Sequence, residues 1–398
     1  MLSLEEALEK LLNSAPLIGG AEMRPLDESI GRFFVSDVFA KSALPPFDNS
    51  AMDGYAVKSE DVRGASSEKP IRLRNIANIP AGSFFSRTVK AGECARLFTG
   101  SPLPTGADAV VMQEDTRASG SEIEILDAVK PWENIRFRGE DIKEGGRIAV
   151  EGSRINAQIA SLLSACGIAE VLVKPQLKIS ILATGNELRP PGHPLAPGEI
   201  YESNRILISS LVRSLGFEPF VRDIVPDDLS ATKDAVRNAA TSDAIIACGG
   251  VSVGEFDFVK SAIAELGGSI DFWRVAIKPG KPFAHATVLD KPLFGLPGNP
   301  VSALVTFWLL VRPALLKMAG AVETAPPISL GELAEEFSNP GARRHFVRVS
   351  IDAEGKVRAS GPQASHRLGS LAAANGLLEM PAGAKWEKGK TVKVILLP

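Results

Sequence analysis

A chain of 398 residues with 45% hydrophobic and 23% charged residues has the balance of a soluble globular protein and exceeds what one ordinary core encloses, so several domains are expected. A formal net charge of -3 creates no global field for nucleic acid or an anionic bilayer, so neither is an expected partner and any bound anion must be met by a local site. Cys94, Cys166 and Cys248 stand far apart with no C-x-x-C pair and no Cys/His cluster, which argues against a disulfide framework or structural zinc and suits a reducing, cytoplasmic compartment.

At the N-terminus, Ser3-Leu4-Glu5-Glu6 reads as a capping box opening a helix to about Leu12, without the basic start of a signal peptide. Residues 45–138 are short apolar runs broken by Pro, Gly and Asn, which predict a β-rich insertion. Asn156 to Cys166 is a second amphipathic stretch that stops at Gly167; the two helices are expected to share an elongated N-terminal domain built from 1–44 and 139–175. Strand, turn and helix then alternate from LKISILAT through FEPFVRDIV, DAIIACGG and PLFGLPG, predicting a doubly wound parallel sheet over 176–320. Val301 to Val311, closed by Arg312, is the longest apolar run, shorter than the ~20 residues of a membrane span and read as a buried helix. From 321 to 398 strands return, with HFVRVSI, an Asp352-Ala353-Glu354-Gly355 turn and TVKVILL. The expected fold class is therefore α/β multidomain: a doubly wound parallel-sheet domain, a β-rich insertion, a helical, elongated N-terminal domain and a C-terminal β-barrel-like domain.

Ligands of a doubly wound domain bind beyond the carboxyl ends of its strands, and four such ends are polar here. LKISILAT runs into Thr184-Gly185-Asn186-Glu187, where Glu187 offers a carboxylate at the opening and the plain alternative is a turn and helix cap. DAIIACGG runs into Gly249-Gly250-Val251-Ser252-Val253-Gly254-Glu255-Phe256-Asp257, whose glycines let backbone N–H groups approach a phosphate ahead of a helix. It fits neither common phosphate-loop pattern, but Asp257 just beyond it would oppose the anion unless a hard cation such as Mg²⁺ lies between. DFWRVAIKPGKPFAHA carries Arg274, Lys278 and Lys281 around a Pro-Gly turn, either a solvated face or the neutralisers of several phosphates. In PLFGLPGNPVSA, Asn299 can cap a helix with Pro300 at its first position, and Pro297 and Pro300 alone read as a stiff wall. Within the insertion, Asp53-Gly54 of PPFDNSAMDGYAV reads first as a hairpin turn, and Thr99-Gly100-Ser101 raises the same doubt. Arg136, Arg138, Glu140 and Asp141 mix charge signs in NIRFRGED, which suits phosphate plus metal as well as an exposed loop.

These segments, together with ARLFTGSPLPTGADAVVMQED, ATGNEL, GGVSVGEFDF, AIKPGKP and GLPGNPVSA, occur in the order seen in the molybdopterin molybdotransferase family, MoeA of bacteria and the E domain of gephyrin, which nearly the whole chain resembles. The resemblance implies a MogA-like doubly wound domain and a homodimer of L-shaped, four-domain subunits. It places the active site between the doubly wound domain of one subunit and the insertion of the other. It further implies adenylylated molybdopterin and molybdate as substrates, molybdenum cofactor and AMP as products, and a divalent cation, Mg²⁺; the adenylyltransferase and molybdoenzyme chaperones are the handover partners of such an enzyme. Carried over by position, the catalytic set is Asp53, Asp141, Asp257 and Lys278. Substrate-binding positions are Thr99, Glu187, Gly249, Gly250, Ser252, Gly254, Arg274, Lys281, Pro297 and Pro300. Metal-binding positions are Asp257 with Asp227 or Asp228 of the Pro226-Asp227-Asp228 turn. Two departures are Arg274, where many relatives have lysine, and Phe258 after Asp257, where tyrosine is usual.

On this reading the 249–254 loop with Lys278 and Lys281 holds the pterin phosphate and adenylate, Mg²⁺ lies at the scissile anhydride for attack by water, and Asp53 and Asp141 of the partner orient molybdate or shuttle protons. The rival functions are adenylylation of molybdopterin, which a doubly wound domain of this type can perform alone, and a non-catalytic dimeric scaffold of the gephyrin type. The flanking domains speak against the first, and retention of the acids against the second.

Overall fold

The computed structural model describes residues 1–250 and 258–398. Helix α1 (Leu4–Ser14) opens on the expected box: the Glu6 N–H donates to Ser3 Oγ at 3.1 Å and the Ser3 N–H to the Glu6 carboxylate at 2.7 Å. Its buried residues, Ala7 and Leu11, belong to the core of the parallel-sheet unit.

The insertion is a six-stranded sheet of β1 (Gly54–Val57), β2 (Ile71–Ile79), β3 (Glu93–Leu97), β4 (Ala109–Met112), β5 (Thr116–Ser119) and β6 (Glu122–Ile125), in the spatial order β4-β1-β3-β2-β6-β5. A short antiparallel ladder of Asn49–Ser50 with Ile135–Arg136 gathers its two ends. Helix α2 (Ala157–Ala165) is capped by Asn156 and buries Leu163 among Phe34, Ile155, Val171 and Val173. The two N-terminal helices therefore belong to different cores, and the expectation of a shared helical subdomain fails: α1's Ala7 and Leu11 find their apolar partners on the helix near residue 310, not on α2.

Next come β7 (Lys178–Thr184), α3 (Asn204–Ser214), β8 (Glu218–Val225), α4 (Leu229–Ala239), β9 (Ala244–Cys248), α5 (Phe258–Glu265), β10 (Ser269–Arg274), the two-residue β11 (Ile277–Lys278), β12 (Pro282–Val288) and β13 (Lys291–Leu296). The sheet order is β8-β7-β9-β13-β12-β10, with the first four strands parallel and β12 antiparallel to both neighbours. Period-2 alternation explains why the central strand is apolar throughout: Ala244, Ile246 and Cys248 face α3 and the long helix α6, while Ile245 and Ala247 face α4 and α5.

Helix α6 (Pro300–Met318) is 19 residues long and by length and hydropathy could cross a membrane, yet 89% of its most apolar 18-residue stretch is buried inside the fold. It outruns the expected end at Arg312 because Phe307–Val311 is π-helical, which leaves the turn around Pro313 without need of the proline's missing N–H. The chain ends in β14 (Ile328–Leu333), β15 (Arg344–Ile351), β16 (Lys356–Ala359), α7 (Leu368–Ala372), β17 (Gly376–Met380) and β18 (Thr391–Leu396). The order β15-β16-β14-β18-β17 closes on itself through β15–β17 pairing, giving a barrel filled by residues such as Leu333, Val349 and Val394.

Candidate functional site

Connections from β7 and β9 leave in opposite directions, β7 toward β8 and β9 toward β13, so the crevice between their carboxyl ends is the topological switch point of the sheet. A cavity of about 580 Å³ lies there, its floor made by Ala183 and Thr184 of β7 and by Cys248 and Gly250 after β9. Four residues singled out in the sequence, Glu187, Gly250, Pro297 and Pro300, line this one cavity.

Glycine is required at its floor. Gly250 has φ +65°, and a Cβ there would lie 2.7 Å from Val259 Cγ2 and 2.8 Å from Thr184 Oγ1. Gly249 precedes it, also at positive φ. Ser252, Gly254 and Asp257, the rest of the expected anion cradle and its metal-binding acid, lie outside the described residues. At the opposite wall the Glu187 carboxylate folds over Gly185, where a Cβ would come within 2.7 Å of it. The turn below is clasped to the strand next door, since the Asn186 N–H donates to the Asp227 carboxylate at 3.1 Å and the Asp227 N–H to Asn186 Oδ1 at 3.0 Å. Asp228 caps α4, accepting from the Ala231 N–H at 2.8 Å. Each of the two aspartates thus engages one carboxylate oxygen, and among the described residues no three His, Cys, Asp or Glu side chains cluster as a ready metal cage.

Because β10 is two antiparallel steps from β13, it runs parallel to the central strands and ends with Arg274 at the same edge of the sheet. Lys281 begins the return strand there, beside Pro282 of the cavity wall. Arg274, Lys278 and Lys281 are all exposed and form no ion pair with any described residue. Lys278 is held by the barrel: β11 pairs with β15 in the register Lys278 with His345, and Arg343 donates to the Ile277 carbonyl at 2.8 Å. Burial, then the neighbouring Lys278 charge, pushes the His345 imidazole down to about 4. The barrel also lends His366 and Leu368 to the cavity.

The insertion brings two separately singled-out residues together. Asp53 accepts from both the N–H and the hydroxyl of Thr99, at 2.7 and 2.8 Å, and these bonds, with the Arg96 charge behind them, hold its carboxyl below the usual carboxylate range. Arg96 stacks over Tyr55 and Phe98 at 5.1 and 5.2 Å and binds Gln113. Asp141 is exposed at the far end of the ladder that joins 44–50 to 135–142, its N–H donating to the Leu44 carbonyl at 3.1 Å. Its neighbours are engaged otherwise: Arg138 pairs with Glu144 at 2.8 Å and Glu140 accepts from the Phe137 N–H.

Sequence reasoning missed Arg96, although it lies inside ARLFTG, and missed the wall made by Glu202, Ser203 and Asn204. Asn204 is buried and donates to the Gly298 carbonyl at 2.7 Å, tying α3 to the GLPGN turn. Glu202 is buried against Arg205 at 2.9 Å. Asn299 occupies the cap position of α6 but makes no capping bond, and its side chain lines the cavity instead. The three thiols are buried and unpaired, and burial pushes each of them up, Cys94 to about 12, which disfavours the reactive thiolate.

Comparison with known proteins divides the chain in three. Residues 2–167 match the MoeA N-terminal region (domain I and II), residues 180–317 a probable molybdopterin binding domain, and residues 331–397 the MoeA C-terminal region (domain IV). Molybdopterin molybdenumtransferase 2 of Mycobacterium tuberculosis (strain CDC 1551 / Oshkosh) is 38% identical over 364 residues, covering 90% of each chain. The molybdopterin molybdenumtransferase of Haemophilus influenzae is 36% identical over 382 residues, 94% of this chain and 93% of that one. The crystal structure of the molybdopterin biosynthesis moeA protein from Pyrococcus horikoshii OT3 superposes with a TM-score of 0.86 at 32% identity over 100% of both chains.

Proposed function

Since the chain belongs to the MoeA family of molybdopterin molybdenumtransferases, we propose that it inserts molybdate into adenylylated molybdopterin, releasing AMP and yielding molybdenum cofactor. The observation that carries this reading is the cavity at the switch point, where Glu187, Gly250, Pro297 and Pro300 converge, with Arg274 and Lys281 at the same edge of the sheet and neither they nor Lys278 paired with a described carboxylate. A substrate bearing a phosphate and an adenylate brings several negative charges into one pocket, and fixed cations at its edge offset them without reorganising during reaction.

The residues divide the labour by charge. Lys278 and Lys281 meet phosphate oxygens, and the backbone at Gly249 and Gly250 approaches closely because no side chain intervenes. Asp53, kept ionised by Thr99, faces the same substrate from the insertion of a second subunit, where with Asp141 it orients molybdate or shuttles the protons released by the dithiolene thiols to the oxide that leaves as water. Support for this homodimeric, two-subunit site is that the cavity takes lining residues from the parallel-sheet unit and the barrel but none from the insertion. Mg²⁺ suits the acids present: it takes one or two carboxylates and completes its shell with water and substrate phosphate, and Asp227, half-buried with one oxygen left over, fits better than the capping Asp228. When bound beside Asp257, such an ion would neutralise charge at the scissile anhydride. We place the enzyme in the cytoplasm, in keeping with its free thiols, with the adenylyltransferase as supplier and molybdoenzyme chaperones as recipients.

Turnover of purified adenylylated molybdopterin with molybdate tests the assignment. AMP release by the wild type, lost in Asp257→Asn with the fold intact by circular dichroism, is expected. Adenylylation of molybdopterin from ATP without AMP release would instead identify an adenylyltransferase, and neither reaction would identify a scaffold.

A further inference from the structure

A second cavity, about 420 Å³, shares no residue with the first and lies where three units meet: Phe33, Val150 and Arg154 of the N-terminal segment, Arg312 and Leu316 of α6, and Val322 and Glu323 of the connection to the barrel. Its volume is that of a small-molecule site. Phe33, Val150, Leu316 and Val322 make an apolar body, and two guanidinium groups supply its only cations.

The two arginines differ in exposure, Arg312 being half-buried and Arg154 exposed. Arg312 donates through Nη1 to the Thr324 carbonyl at 2.9 Å and stacks over Trp308 at 4.9 Å, but its Nε is buried without an acceptor. Arg154 donates only to carbonyls, of Gly31 at 3.2 Å and Ser214 at 3.4 Å. Neither forms an ion pair with a described carboxylate, although Glu323 stands at the rim. Two like charges thus line one cavity whose carboxylate, Glu323, pairs with neither of them, and burial followed by the Arg154 charge makes the Arg312 cation harder to keep. The half-buried Arg312, with its Nε unsatisfied, is stabilised when an anion completes its hydrogen bonding.

We propose that this cavity binds a small organic oxyanion, a carboxylate or phosphate monoester on a short apolar body, with the head group between Arg154 and Arg312 and the body against Phe33, Val150, Leu316 and Val322. The planar guanidinium forks match carboxylate and phosphate alike. A ligand there touches all three units at once, so its binding stabilises their arrangement.

The test titrates the full-length protein with hexanoate, hexyl phosphate and hexanol, followed by calorimetry, by melting temperature and by the methyl resonances of Val150, Leu316 and Val322. Saturable binding of at least one anion with a raised melting temperature, shifts of those methyls and no response to hexanol is expected. Which head group binds tighter distinguishes a carboxylate from a phosphate source. Arg312→Met and Arg154→Met should each weaken that binding by roughly tenfold or more. Arg154 is exposed, so its variant decides the matter if Arg312→Met does not fold. Equal binding of hexanol, no saturable binding, or affinity unchanged in the arginine variants overturns the proposal.

Discussion

Replacing Gly250 by alanine separates two costs that the cavity floor imposes. The backbone at φ +65° costs an alanine ~1–2 kcal/mol, a penalty any L-residue meets in that region. The added methyl would also lie 2.7 Å from Val259 Cγ2 and 2.8 Å from Thr184 Oγ1. Both neighbours are short and β-branched, so neither has a flexible end to swing aside. Moving Val259 repacks α5 on the sheet, and moving Thr184 reshapes the cavity. Overpacking of this kind costs ~1–3 kcal/mol. Gly267 is the control: its φ is +75°, and a Cβ there meets nothing within 4 Å, so Gly267→Ala carries the backbone cost alone. Gly250→Ala should therefore melt lower than Gly267→Ala, by about 2–4 °C per kcal/mol in the unit that holds it, and should lose AMP release while Gly267→Ala keeps it. Equal melting temperatures with normal turnover in both would refute the close-approach argument for the floor.

Thr99→Val removes one of two hydrogen bonds that lower the Asp53 carboxyl, so that group should protonate at a higher pH and the acid limb of AMP release should move up, with the neutral plateau little changed; an unmoved limb would remove Asp53 from the rate-determining protonation. Asp53→Ala and Asp257→Ala homodimers should each be inactive, yet mixed heterodimers should recover about half of wild-type turnover from one intact site; confirmed heterodimers without activity would mean each subunit builds its own. His345, pushed down from 6.5 to about 4, stays neutral in the folded barrel while an unfolded chain takes up a proton below 6.5. Barrel stability should then fall as pH drops from about 6.5 to about 4 and level off below, and the imidazole should titrate higher in Lys278→Ala by NMR; stability flat across that window would contradict the burial.

What was legible depended on sequence distance. The central strands could be read because burial on both faces makes their runs apolar, and Ala244 to Cys248 is such a run. The polar strand ends could be read because every doubly wound sheet presents them at one edge. Pairings between distant segments could not. Asp53 and Thr99 were each weighed as turn residues, and only the folded sheet brings Thr99 onto the Asp53 carboxylate. Lys278 read as part of a basic turn, whereas β11 is a strand added to the barrel opposite His345. The amphipathic face of α1 carries no mark of which core it will join, so its assignment alongside α2 failed. The second cavity was equally hidden, since Arg154 and Arg312 meet across 158 residues of chain and Arg312 appeared only as the end of an apolar run.

Charge constrains how the two halves of the proposed site meet. Arg274, Lys278 and Lys281, by the cavity's side of the sheet, have no ion-pair partner among the described residues, while the cavity's buried acid, Glu202, is already paired with Arg205. Phosphate oxygens therefore belong at that edge, where they meet cations alone. Asp53 is a different matter, because Thr99 stabilises it as an anion and would make it repel any phosphate placed against it. An ionised carboxylate helps such a reaction only where a proton is given up, and the two dithiolene thiols that replace oxide on molybdate give up the protons with which oxide leaves as water. On the proposed two-subunit reading, the insertion of the second subunit would accordingly approach the dithiolene end of the substrate and leave the adenylate to the edge lysines. Asp53→Asn should then slow molybdenum incorporation at saturating molybdate while leaving the affinity for adenylylated molybdopterin nearly unchanged, and a tightened nucleotide affinity in that variant would place Asp53 against the phosphates instead.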